Sequence, residues 1–187
     1  MGGPPPGQES ILIFSHDTEH SLGCLVDLVN SDLSDLDALD ELVRGHDVSE
    51  VATLRPSDLD AVRRLAADLR PVFGADDAAA AATLVNSLVS RSPVTPRLTD
   101  HDGYDLHIHY FAPGASLAEH LAVDLGMALA QVIAAGEHER LRRCEAPDCD
   151  QVLVDLSRNR SKRYCDARTC GNRLHVAAYR ERQRAIS

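Results

Sequence analysis

Four of the five cysteines in this chain fall into two pairs, Cys144-x4-Cys149 and, after a spacer of fifteen residues, Cys165-x4-Cys170. Two thiolates on each of two tight loops are the donor set of a tetrahedral S4 zinc site, in which Zn–S bonds of about 2.3 Å draw the loops together. The spacer between the pairs is then expected to close as a hairpin, with residues 151–156 (QVLVDL) alternating like a strand and residues 157–161 as its polar turn. Four protein sulfurs leave no position for water, so a zinc held here is structural rather than catalytic. Two disulfides or four free thiols are the alternatives. A disulfide framework suits a secreted chain, and nothing here signals export. The x4 gap is wider than the commonest CxxC knuckle and leaves iron–sulfur ligation as a lesser reading. A metal also answers a need, because roughly 45 residues with few large apolar side chains cannot build a core of their own.

The same stretch is basic. Arg158, Arg160, Lys162 and Arg163 lie between the pairs, and Arg168, Arg173, Arg180, Arg182 and Arg184 follow. From residue 140 onward there are 12 Lys and Arg against 6 Asp and Glu, a net +6, whereas the preceding 139 residues hold 7 basic and 23 acidic side chains, a net −16. An acidic body is repelled by phosphate and a basic tail is drawn to it, so the tail is where a polyanion would dock. Arginine adds a planar fork that meets phosphate or guanine with two hydrogen bonds. On a helix beginning near Gly171, Arg173, Arg180 and Arg184 share one face. Arg158, Arg160, Lys162, Arg163, Arg173, Arg180 and Arg184 are therefore the expected nucleic-acid contacts. The alternatives are a solvated face that balances or docks on the acidic body, and a protein-binding surface. No aromatic platform for stacking single-stranded RNA is visible, Tyr164 and Tyr179 being the only rings here besides His175.

Other residues carry weaker signals. His16 and His20 are spaced i, i+4, and His107 and His109 share a strand face, so four imidazoles could meet at a second metal; strand alternation and ordinary surface histidines explain them as well. Asp27 and Asn30 suit capping or buried hydrogen bonding, with contact to a small ligand as the sharper reading. Cys24 sits among Leu22, Leu25 and Leu28 and reads as a buried, inert thiol. There is no Gly-rich phosphate loop, no GxSxG and no HExxH, so an enzyme is not expected.

The elements that position these residues read as mainly helical. With 44% apolar residues, seven aromatics and no Trp, the core must be built from Leu, Val and Ala. Residues 21–30, 32–44, 56–69 and 76–90 show helical apolar spacing, with Gly45 closing the second and Pro56 opening the third. Residues 11–14 suggest an edge strand. Two prolines, Pro93 and Pro96, end the helical region, and 97–111 reads as two strands around Asp102-Gly103. A last long helix, 116–135, stops at Gly136. The opening MGGPPPGQ reads as a disordered tail rather than a signal peptide, and no run approaches the roughly 20 apolar residues that span a bilayer, so a cytoplasmic address is expected.

Residues 157–173, SRNRSKRYCDARTCGNR, resemble the CGNR zinc-finger family, named for the tetrapeptide from Cys170 to Arg173; the likeness runs from about 142 to 183. In that family the finger follows an α/β domain called ABATE, and residues 21–31, SLGCLVDLVNS, are similar to its N-terminal motif. Tyr164 stands where many members have Trp, and 152–154 lack the usual aromatic, departures that touch packing and not ligands. The resemblance implies a stress-induced transcription regulator in which the finger contacts double-stranded DNA and the body senses a small-molecule effector or forms a homodimer. The expected architecture is α+β: a disordered tail (1–9), a helix-rich body with a β-hairpin (10–136), and a small four-cysteine zinc module (140–187) of a hairpin followed by a helix, treble-clef-like.

Overall fold

Among the described residues, four of the five helices of the body start where a short polar side chain caps them. The computed structural model describes residues 14–99 and 107–173, with 176, 180, 182 and 183. Helix α1 (His16–Asn30) opens with Ser15 accepting from the Thr18 N–H, α2 (Leu36–Gly45) with Asp35 accepting from Ala38, and α4 (Ala78–Val89) with Asp77 accepting from Ala80. In α3 (Pro56–Leu69), Pro56 takes the first helical position and Asp58 accepts from the Arg55 N–H at 2.8 Å. Helix α5 (Leu117–Ala134) carries a full capping box between Ser116 and Glu119. It ends at Gly136, whose φ of 74° lets the Gly136 and Glu137 N–H groups return to Ile133 and Val132. Helix α1 begins five residues before the apolar spacing announces it, because its first turn is polar. Helix α2 begins four residues late, where Asp35 can cap.

The body is organised around α5, which packs against α1, α3, α4 and the strand pair. It is long and apolar enough to cross a bilayer by composition, but Leu121, Leu125, Leu129 and Val132 are buried in the core, where a central helix needs apolar residues on several faces. Strands β1 (Val94–Thr99) and β2 (His107–Phe111) run antiparallel, pairing Arg97 with His109 and Thr99 with His107. Strand β1 starts before Pro96 instead of after it, and the register shifts between Val94 and Arg97, the kind of bulge where a strand tolerates proline. The Asp102-Gly103 turn, residues 11–13 of the expected edge strand and the tail at 1–9 lie outside the described residues; Phe14 is buried in the core.

After a 3-10 turn (His138–Arg140), strand β3 (Leu141–Arg143) pairs antiparallel with β4 (Val152–Val154). This corrects the expected hairpin. The strands flank the first cysteine pair, while the spacer between the pairs holds only β4 and then a loop. Residues 141–143 pair with β4 instead; in the polar spacer Arg160 adopts a left-handed φ of 50°, which a continuing ladder excludes. Leu141, Val152 and Val154 face the core of the body, whereas Leu153 points the other way and packs with Ala146, Cys144 and Cys170.

The edge of β4 meets the body. Cys144 donates to Gln151 and Asp155 to Arg140, so Val152, opposite Arg143, falls at a position whose backbone groups point out of the hairpin. Asn30, the last residue of α1, completes them: its Nδ2 donates to the Val152 carbonyl and its Oδ1 accepts from the Val152 N–H, both at 2.8 Å. A side-chain amide thus stands where the next strand would be. Arg70 spans the same junction, donating to the carbonyls of Val29 and Asp150.

Candidate metal centre and its basic surround

The four cysteines converge. Cys144 and Cys149 sit on the β3–β4 loop, tightened by a Cys149 N–H bond to Ala146, and Cys165 and Cys170 bracket the start of a π-helical turn (Ala167–Gly171). All four sulfurs lie within 4.8 Å of one another. The Cys149–Cys165 and Cys165–Cys170 separations are 3.7 and 3.8 Å. The edge of a tetrahedron with Zn–S bonds of about 2.3 Å is about 3.8 Å, so two edges of the cage already match a zinc-sized ion and the others lie within about 1 Å of it. The helical segment opens at Ala167 rather than near Gly171, and Asp166 caps it through the N–H groups of Arg168 and Thr169.

The thiols have unequal acidity. Burial opposes ionisation of Cys144, but N–H bonds from Cys165 and Ala146 outweigh it and hold Cys144 below its ordinary value. Cys165 is pushed up to about 12, first by burial and then by the thiols of Cys149 and Cys144, and Cys170 is raised, again by burial first and then by the Cys149 thiol. Cys144 ionises readily, and Cys165 and Cys170 resist joining it. A dication in the cage would remove that conflict, and its binding would then couple to folding. Cys24 stands apart, buried in α1 with its thiol pushed up to about 12 by burial first and Asp27 second, as expected of an inert thiol.

Two residues that the spacing of cysteines and arginines does not point to hold the loop between the pairs. Asp155 is fully buried; it accepts from the Ser157 N–H and the Lys162 N–H, each at 2.9 Å, and from the Ser157 hydroxyl, with Arg142 at 3.5 Å. Arg140 is also buried, with its Nε on Glu137 at 2.6 Å and its Nη1 on the carbonyls of Asp155 and Ser157. The spacing Asp155-x-Ser157 is an Asx-turn signature and could have revealed the first.

The expected nucleic-acid contacts divide in two. Arg160 pairs with Glu137 at 2.7 Å, Arg163 with Glu145, and Arg173 with both oxygens of Asp148 at 2.7 and 2.6 Å. Arg158, Lys162 and Arg180 are exposed with no acidic partner among the described residues, and so are Arg168 and Arg182. Arg184 lies outside the described residues, as do Tyr179 and His175. Charge counting along the chain overstates the free positive surface, because the acids interspersed in the module fold back onto it.

In the body, Asp27 reaches His46 at 2.9 Å and Asn30 carries the hydrogen-bonding role already described. A cavity of about 470 Å³ lies between α1, β2 and α5, and His16, His20, His107 and His109 all line it. His107 and His109 touch through their Nε2 atoms at 2.9 Å. His20 is lowered from its ordinary value by burial first and then by the neighbouring His46 and His16. The four imidazoles therefore share one cavity, which strand alternation and helical spacing taken separately do not require.

Two comparisons with known families extend this picture. Residues 24–136 match the family model of ABATE, described as "Putative stress-induced transcription regulator". Residues 140–183 match the model of the CGNR zinc finger. A search of curated proteins found no match.

Proposed function

The chain belongs to the ABATE family, and from that premise we propose that it is a cytoplasmic, non-enzymatic transcription regulator whose zinc finger contacts double-stranded DNA while its helical body answers to a small-molecule effector. The observation that carries the DNA contact is the set of five exposed cations without acidic partners among the described residues: Arg158, Lys162, Arg168, Arg180 and Arg182. The ion-paired Arg163 and Arg173 tie the segment around the second cysteine pair to the β3–β4 loop. The 470 Å³ cavity is the place for the effector. Because one small module buries only about 600–1,000 Å² on DNA, two copies acting together supply the remaining area.

About five phosphate contacts give a salt slope near −4.5, hence a loss of about 500-fold in affinity between 50 and 200 mM salt. Fluorescence anisotropy of zinc-loaded protein on duplex DNA reads this directly, and reversing Arg158, Lys162 and Arg168 to Glu should flatten the slope by about three units. Absence of salt-dependent binding would overturn the DNA reading. The exposed Leu156 and Val176 favour a second reading, in which the finger docks on a protein. Capture of a partner that survives nuclease but is lost on charge reversal at Arg180 and Arg184 would support it.

A further inference from the structure

Strand β2 and helix α5 bring together three donors that the DNA reading does not use. His109 on β2 is 7% exposed, and His120 in the first turns of α5 is 6% exposed. Asp124 stands one turn beyond His120. One ring nitrogen of each imidazole and a carboxylate oxygen of Asp124 lie within 4.8 Å of one another.

The fold orients all three. Asp124 Oδ1 accepts from the Tyr110 N–H at 3.1 Å, and its Oδ2 is 3.2 Å from His120 Nε2. The His120 ring stacks on Phe111 with centroids 3.6 Å apart, and His109 packs edge-on against the same Phe111 at 5.0 Å. His107 Nε2 lies 2.9 Å from His109 Nε2, the kind of outer contact that fixes the ring of a ligating histidine. Burying two imidazoles beside a half-buried carboxylate costs stability unless the polar groups are matched to something.

We propose that His109, His120 and Asp124 form a second metal site, for a divalent transition ion of the zinc, cobalt or nickel class. Two imidazoles and one carboxylate on a strand and a helix are the donors such ions take, and they are harder than the sulfurs of the finger, so the two centres differ in preference. Ligands around a four-coordinate ion with bonds of about 2.1 Å stand about 3.4 Å apart. Closing the cluster to that spacing takes side-chain shifts of about 1 Å. His109 and Asp124 line the 470 Å³ cavity and His120 lines a neighbouring one of about 430 Å³, so the ion has a route in and a remaining coordination position can face the cavity. The site does not depend on whether the finger binds DNA.

Calorimetric titration of full-length protein, its finger already carrying one zinc, with further Zn²⁺ or Ni²⁺ decides the matter. One further equivalent per chain is expected, weakened at least about 10-fold in His120→Gln and in the near-isosteric Asp124→Asn. Because His120 is buried and Asp124 half-buried, wild-type protein also receives Co²⁺ on top of zinc: nitrogen–oxygen ligation gives visible d–d bands without sulfur-to-cobalt charge transfer. A titration that ends at one metal per chain overturns the proposal. So does a second equivalent that binds wild type and both variants alike, or one whose cobalt spectrum shows sulfur.

Discussion

Replacing Asn30 by Ala cuts both hydrogen bonds through which α1 holds the outer edge of β4. Val152 is fully buried, so water cannot take over its N–H and carbonyl. Each buried backbone group left unsatisfied costs about 1–3 kcal/mol, and relaxation around the small cavity recovers part of the sum, which puts the expected loss at about 3 kcal/mol. With a urea m-value of about 2 kcal/mol/M, the unfolding midpoint of zinc-loaded Asn30→Ala should fall by about 1.5 M. Asn30→Asp keeps the acceptor for the Val152 N–H but sets a carboxylate against the Val152 carbonyl, so it should recover little. A loss below about 1 kcal/mol would refute the reasoning, since it would mean that the finger's hairpin stays seated through apolar contacts and Arg70 alone.

Asp155→Asn should lower stability at pH 7 by about 2 kcal/mol, by weakening charge-assisted bonds from Ser157, Lys162 and Arg142. Burial opposes the Asp155 carboxylate, but those donors outweigh it and hold its pKa below the ordinary carboxylate value, so its contribution is present above about pH 4 and drains as the pH falls through the depressed value. Urea melts of wild type and variant across pH should therefore differ by a constant amount from about pH 8 to 5 and converge only below about 4; convergence at neutral pH would contradict this. Gly126→Ala places a methyl group 2.5 Å from Val89 Cγ2 and 3.2 Å from Leu88 Cδ2, where α4 and α5 touch. Overpacking of about 1–3 kcal/mol offsets or exceeds the helix-propensity gain of about 1, so thermal melts should show a net loss of up to about 2 kcal/mol rather than the gain usual for Gly→Ala in a helix.

Much of the fold is legible in local patterns. Pro56, Ser116 and Gly136 mark helix ends that the structure keeps, because capping and left-handed termination depend on a few neighbouring residues. Where the pattern misleads, a competing local rule explains it. The polar first turn of α1 hides its start, and Pro96 sits in a strand because a bulge accepts it. The hairpin of the zinc module falls one loop earlier than the spacer suggests, because the apolar run 152–154 does not say which neighbour it will pair with.

The cysteine spacing by itself determined that four sulfurs could share one ion, since two thiols on each of two short loops are the donor set of a tetrahedral S4 site. What only the tertiary structure decided was the company each charge keeps. Glu137, Glu145 and Asp148 neutralise arginines that charge counting assigns to DNA, Asn30 fastens the finger to the body across a long stretch of chain, and His109, His120 and Asp124 meet across a strand and a helix. Such meetings depend on how elements pack in three dimensions, and local periodicity carries no information about that.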